Sequence, residues 1–419
     1  MRRNIFLFKN LISKLIRPPE KNVVRWWIFY SLMVLIIMSL ITLKYTSVDP
    51  TSLSSSYMKQ LIWICIGIIV FYFAQWIRVQ FFQEYAYHLY ILLLLLISLT
   101  YFMPEVGGSN RWVTFGTITF QPSEFGKLIL VFIIARILSD QKELINEIKL
   151  LILTLLISII PSLMIFRQPD FGTAMVYLFI VIPMLYWSGI RVFYLFTIIA
   201  PIISIISAFN IIIFSIWIAF LILIIYFSQP RISNGVINFL VNIGCGVLSP
   251  FIWNNVLFPH QRERILTLIN PMSDPHGSGY QVIQSIIAIG SGGIWGKGLG
   301  AGTQTQLRYL PVRDTDFIIS VIAEEWGLFG ITIILFTFFI LLYWLLIYAG
   351  SISNEFSSLT LIGFTSILFF HLIVNMGMIV GLLPVTGLPA PFLSYGGSFL
   401  LTSIFIMAIA NNIINHNIN

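Results

Sequence analysis

Long apolar runs alternate with short polar turns along most of the chain, which is the pattern of a protein that crosses a bilayer many times. Runs at 26–43, 59–76, 85–102, one opened by Pro122, 150–166, one ending near Gly189, 235–253, 328–349, 359–383 and 399–413 each predict one membrane helix. The stretch 192–227 is apolar for about twice the length one crossing needs, so it predicts two helices with a bend near Asn210. The sequence therefore reads as one all-α domain over 1–419, a polytopic integral membrane protein of about 12 transmembrane helices.

One stretch breaks the rhythm. Residues 254–326 are polar and glycine-rich, and nine of the chain's 28 glycines fall between Gly277 and Gly302. The residues before the first apolar run carry Arg2, Arg3, Lys9, Lys14, Arg17, Lys21 and Arg25, which by the positive-inside rule holds 1–25 in the cytoplasm. Counting spans from there puts the large loop, 254–316, outside and returns the C-terminus to the inside. The first run is too long for a signal peptide and lacks a cleavage site of small residues, so it is read as a retained span.

Composition sharpens this picture. Hydrophobic residues make up 58% of the chain and charged residues 9%, far from soluble usage, where roughly a quarter of residues are charged. The net charge of +7 comes from cations at helix ends and in loops, which suits membrane topology and anionic lipids rather than nucleic acid. Cys65 and Cys245 both lie in apolar runs and read as packing residues. His88, His260, His276, His371 and His416 show no metal-ligand spacing, so no metal site is predicted.

Charge placement carries the first hint of function. Arg111, Arg167, Arg262, Arg264, Lys297, Arg308 and Arg313 all fall on the expected exterior, where Lys and Arg are disfavoured. A diphosphate ligand would reward them, because guanidinium forks match its oxygens. Ordinary ion pairs with Glu105, Asp170, Glu263, Asp314 and Asp316 would reward them equally well.

Seven segments in order carry a resemblance: GGSNRW at 107–112, QPSEFGK at 121–127, RQPDFGT at 167–173, QRERI at 261–265, the glycine-rich 270–311, TDFI at 315–318 with AEEWG at 323–327, and GLLPVTGLPAPFLSYGGS at 381–398. Together they resemble the SEDS family of shape, elongation, division and sporulation proteins, over roughly 100–410. The resemblance implies a peptidoglycan glycosyltransferase of the bacterial cytoplasmic membrane. Such an enzyme polymerises lipid II, an undecaprenyl-diphosphate disaccharide, at the outer face. It further implies a class B penicillin-binding protein as transpeptidase partner, and the short tail and VIAEEWG suggest the elongation machinery rather than division. The family core has ten spans, so the extra two predicted in 192–253 read as an additional helical hairpin.

Glycosyl transfer from a lipid diphosphate needs a base for the acceptor hydroxyl and cations for the leaving group. Asp274 falls at the family's presumed catalytic position, between the stiffening Pro271 and Pro275 and near Gly277 and Gly279. It would equally serve as an Asx turn or the N-cap of a helix beginning near Tyr280. Glu124 and Lys127 share a face of the fourth span, so Lys127 is expected to reach phosphate with Glu124 orienting it, unless the two form a structural ion pair. Arg111 and Trp112 would supply a phosphate fork and a sugar platform, although Trp at an interface is ordinarily an aromatic-belt residue.

Arg262 and Arg264 lie about 200° apart on a helix, so they are not expected to grip one phosphate together. Lys297 lies in GSGGIWGKGLG, which lacks the spacing of a nucleotide-binding P-loop. Asp316 reads as the N-cap of the helix that follows it. A divalent ion between carboxylates and diphosphate is compatible with this chemistry. The competing readings are a lipid II flippase, a division-type polymerase and a non-catalytic scaffold.

Overall fold

The computed structural model describes residues 24–105, 109–115, 118–141, 146–228, 230–257, 259–269 and 277–417. Three helices open the chain: α1 (Trp26–Thr46), α2 (Ser56–Ala74) and α3 (Val79–Thr100). A short antiparallel hairpin of β1 (Val113–Phe115) and β2 (Ile118–Phe120) follows, with Val113 opposite Phe120. Then come α4 (Pro122–Gln141), α5 (Glu147–Arg167), α6 (Phe171–Trp187), α7 (Val192–Ser207), α8 (Ile211–Ser228) and α9 (Ile232–Phe251), the last running into a π-helical turn, Ile252–Val256. The polar stretch holds α10 (Pro259–Ile269), α11 (Ser278–Gly292) and the single turn α12 (Thr303–Gln306). Three long helices close the chain: α13 (Ile318–Ser351), α14 (Glu355–Ile379) and α15 (Gly397–Asn417).

The protein is an all-α, multi-pass membrane protein, as the apolar rhythm predicts. Among the described residues nine helices are long and apolar enough to cross a membrane. Of the other three expected spans, α6 and α7 are shorter apolar helices, and α4 carries Glu124, Lys127, Arg136 and Asp140. The apolar stretch at 192–227 does divide in two. Asn210 sits at the break, its side-chain oxygen accepting from the N–H groups of Ile212 and Ile213 at 2.9 and 3.3 Å and so capping α8. Helix α3 begins six residues before its apolar run because Gln80, Gln83 and Glu84 are good helix formers that a hydropathy reading discounts.

The core is α4, α14 and α15, which are buried along most of their length, whereas α8 buries only Leu221. Small residues let the central helices approach: a Cβ on Gly126 would collide with Tyr177 and Leu93, and one on Gly363 with Val131. Polar side chains then pin helices through backbone carbonyls. Ser158 and Ser162 of α5 donate to Tyr177 O and Ala174 O of α6 at 2.6 and 3.0 Å. Asn412 of α15 donates to Ala74 O and Ile77 O at 2.8 and 2.7 Å. Where water is scarce, such bonds have no solvent competitor.

Helix α13 is broken at Gly327, whose φ of 66° is left-handed. The groups freed by the break are paired by residues 293–298. Leu328 and Phe329 donate to Gly293 O and Ile294 O at 2.9 and 3.2 Å, and Lys297 and Gly298 donate through their backbones to Glu324 O and Glu325 O at 2.9 and 3.1 Å. A Cβ on Gly296 would strike Glu325 O, so the glycine-rich loop is a backbone-on-backbone packing device. The expected 254–316 loop is thus largely helical where described, and α11 packs back into the bundle through Ser285, which bonds Ser320 and Ile379 O at 2.7 Å each.

Candidate functional site

Several distant segments meet at the end of the bundle where α1, α3, α5 and α14 finish. Asn375 of α14 donates to Asp316 O and Leu388 O at 2.9 and 2.8 Å, and Ser394 donates to Thr315 O at 2.6 Å. Tyr395 N–H reaches Asp314 O at 2.9 Å, and Arg313 is tied to Thr46 O at 2.7 Å and to Thr305 O. These bonds hold the TDFI segment against 381–398 as a rigid floor.

On this floor stands a cluster of two guanidiniums and two carboxylates. Arg111 reaches Asp170 at 3.6 Å and donates from its Nε to the Ser109 hydroxyl oxygen at 2.8 Å. Asp170 is the N-cap of α6, accepting from Thr173 N–H at 3.1 Å, and it also accepts from Gln121 at 3.1 Å. It is therefore fixed from three directions. Burial, then the neighbouring Arg111, lowers the proton affinity of Arg264, while Asp316 and Asp170 oppose that shift. Burial likewise raises Asp316 above the usual carboxylate range, against the pull of Thr315, Arg264 and Arg111. Arg111, Asp170, Arg264 and Asp316 thus share one electrostatic neighbourhood, although 205 positions separate the first from the last in sequence. Trp112 lies half-buried next to Arg111 at the foot of the hairpin.

The remaining sequence-predicted residues have other surroundings. Arg262 donates to Leu257 O and Asn254 O at 3.1 and 2.6 Å, closing the C-terminal end of the π turn, so its fork is spent on the protein itself. Lys127, expected to reach phosphate, is instead wholly buried: its ammonium bonds Glu124 at 2.8 Å and His371 at 2.9 Å and sits 5.4 Å from the Phe399 ring centre. His371 in turn bonds Pro389 O through its other nitrogen at 3.1 Å. The lysine, glutamate and histidine thus tie α4 to α14 and to the 381–398 segment. Asp274 lies outside the described residues. The helix that follows it begins at Ser278, with Gly277 as N-cap.

Lys297 is held by Glu324 and Thr303 at 2.9 and 2.8 Å. Glu324 also accepts from Gln304 N–H, Thr305 N–H and the Thr305 hydroxyl at 3.0, 3.2 and 2.8 Å. The glycine-rich segment therefore cradles an anion after all, but the anion is the chain's own carboxylate. Glu324→Ala is expected to destabilise the protein by on the order of 3 kcal/mol, because several donors lose their acceptor at once. A lowered thermal midpoint with faster proteolysis in 293–303 checks it. The expected N-cap role of Asp316 is corrected: α13 starts at Ile318 with Phe317 as an N-cap that makes no side-chain bond. Among the described residues no group of three or more His, Cys, Asp or Glu side chains is placed to hold a metal.

Sequence reasoning offered Asp170 only as one of several ion-pair partners for the exterior cations, without its capping role, and gave no structural role to His371. A capping aspartate before FGT, and a histidine within an otherwise apolar helix, were the available signals.

Comparison with known proteins supplies the family. A family model described as the FtsW/RodA/SpoVE cell cycle proteins matches residues 21–222 and 210–419. The peptidoglycan glycosyltransferase MrdB of Escherichia coli K12 is 32% identical over 354 residues, 84% of each chain. The stage V sporulation protein E of Bacillus subtilis is 30% identical over 360 residues, covering 85% of this chain and 86% of that one. Among solved structures, a chain from a peptidoglycan synthase complex described as coordinating polymerization and crosslinking superposes with a TM-score of 0.71 at 28% identity, over 95% of this chain and 99% of that one. The rod shape determining protein RodA of Thermus thermophilus shares the fold, with a TM-score of 0.63 at 22% identity over 96% and 100%. A match along nearly the whole length, and the same helical architecture in solved relatives, place this chain in the FtsW/RodA/SpoVE family of membrane proteins.

Proposed function

We propose that this protein is a peptidoglycan glycosyltransferase that polymerises lipid II at the outer face of the bacterial cytoplasmic membrane during cell elongation, with both termini in the cytoplasm. The observation that supports the reading is the cluster of Arg111, Asp170, Arg264 and Asp316, gathered at one end of the bundle. Relatives named peptidoglycan glycosyltransferase MrdB and RodA favour elongation over division.

In the reaction the acceptor sugar's hydroxyl oxygen bonds to the anomeric carbon of the donor as the bond from that carbon to the diphosphate oxygen breaks. Asp274 takes the hydroxyl proton, and the diphosphate leaves with the bonding electrons and added negative charge. Arg264 and Arg111 would meet that charge, with Asp170 holding the Arg111 fork in position. Trp112 offers its ring to a sugar face. Arg262, Lys297 and the Glu124–Lys127 pair support the framework. The likeness to a chain of a peptidoglycan synthase complex supports a class B penicillin-binding protein as the crosslinking partner.

Purified protein given lipid II is expected to produce glycan strands, and Arg264→Gln is expected to slow polymerisation about a hundredfold with melting temperature unchanged. Gel analysis of fluorescent product checks both. Normal strands from the Arg264 variant would remove the cluster from the mechanism, and lipid movement without polymer would favour a flippase.

A further inference from the structure

At the opposite end of the bundle, one helix length from the cluster (about 30 Å along α5), lies a cavity of about 500 Å³ that the proposed reaction does not use. It opens between the starts of α5, α7 and α9 and the end of α8. Among the described residues its charged lining is Lys149, Arg191 and Arg231 against a single carboxylate, Glu147, which pairs with Arg191 at 3.3 Å. Asn146, Tyr194 and Asn234 add polar groups, the last two joined at 3.4 Å.

We propose that this cavity binds a phosphate-bearing anion. Two guanidiniums and an ammonium facing one concave space repel each other, and a phosphate placed among them removes that repulsion. Three helix N-termini, each contributing partial positive charge, border the same space, and none receives a bond from its N-cap side chain (Asn146, Arg191, Arg231). The volume falls in the range of small-ligand sites. Phe193 and Ile148 line it beside the cations, and apolar membrane helices lead away from it, which favours a phospholipid headgroup over a free ion. Part of the wall, Ser228, Pro230 and Arg231, comes from the stretch where the sequence carries two more apolar segments than the resemblance implies. The site would therefore be a feature added to the family core.

The test uses the full chain in neutral detergent, titrated with dioleoyl phosphatidylglycerol, with phosphatidylcholine and with sodium phosphate while the melting temperature is followed. Wild type is expected to be stabilised by phosphatidylglycerol at concentrations where phosphatidylcholine has no effect. Arg191→Gln/Arg231→Gln is expected to need about twenty-five-fold more lipid, at about fivefold for each cation lost. Arg231→Gln and Asn234→Ala singly serve if the double variant folds poorly. Stabilisation by sodium phosphate alone, lost in the same variants, would keep the anion site and make its ligand a free phosphate. An equal response of wild type and variants, or no response to either probe, would overturn the proposal. Polymerisation of lipid II is read separately, so failure here leaves the glycosyltransferase reading standing.

Discussion

Replacing Asp274 with Asn is expected to abolish glycan polymer while leaving membrane insertion and lipid II binding in place. The amide keeps the shape of the carboxylate but cannot accept the acceptor sugar's proton, and a positioned general base is worth about 10²–10⁴ in rate. The substitution also separates the two readings of this residue. Asn makes Asx turns and caps helices about as well as Asp, so an aspartate that merely shapes its loop would tolerate the exchange. The N-cap of the following helix is Gly277. A variant that polymerises at the wild-type rate would assign the base elsewhere, with Asp316, half-buried in the electrostatic neighbourhood of Arg264, as the next candidate.

The second large effect concerns the core. Lys127→Met is expected to lower stability by about 3–5 kcal/mol, because Glu124 would be left as a carboxylate sealed among helices without its cation. Both partners are almost fully buried, so solvent cannot compensate. Glu124→Gln/Lys127→Met, which removes both charges, is expected to recover much of the loss. Melting curves of the three proteins give the answer. Single and double variants melting alike would mean that the pair contributes through packing rather than charge. His371→Gln, which retains an acceptor for the ammonium, is expected to fall between wild type and Lys127→Met.

Much of the helical plan was legible because membrane helices announce themselves by length and composition, and even the break at Asn210 follows from an apolar run too long for one crossing. The kink at Gly327 falls where the apolar run begins at Leu328. The short hairpin was missed, although VTF and ITF flanking Gly116-Thr117 form a β-branched and aromatic pattern around a turn. Tertiary pairing was the part no single segment could reveal. That Lys127 turns inward depends on His371 standing 244 positions away, and that Lys297 is spent on Glu324 depends on how the glycine loop wraps the kink. Arg262 and Arg264 were separable from helical geometry, yet only the assembled structure shows which of them shares the electrostatic neighbourhood of Arg111 and Asp170.

The most direct test of the account puts the protein into liposomes with fluorescent lipid II restricted to one leaflet. Cys65 and Cys245 are replaced by Ser, and a single cysteine at Gln304 reports orientation by its reaction with an impermeant maleimide. Glycan strands are expected only where lipid II occupies the leaflet on the side of residue 304. Strands built from lipid II on the opposite side alone would contradict the account.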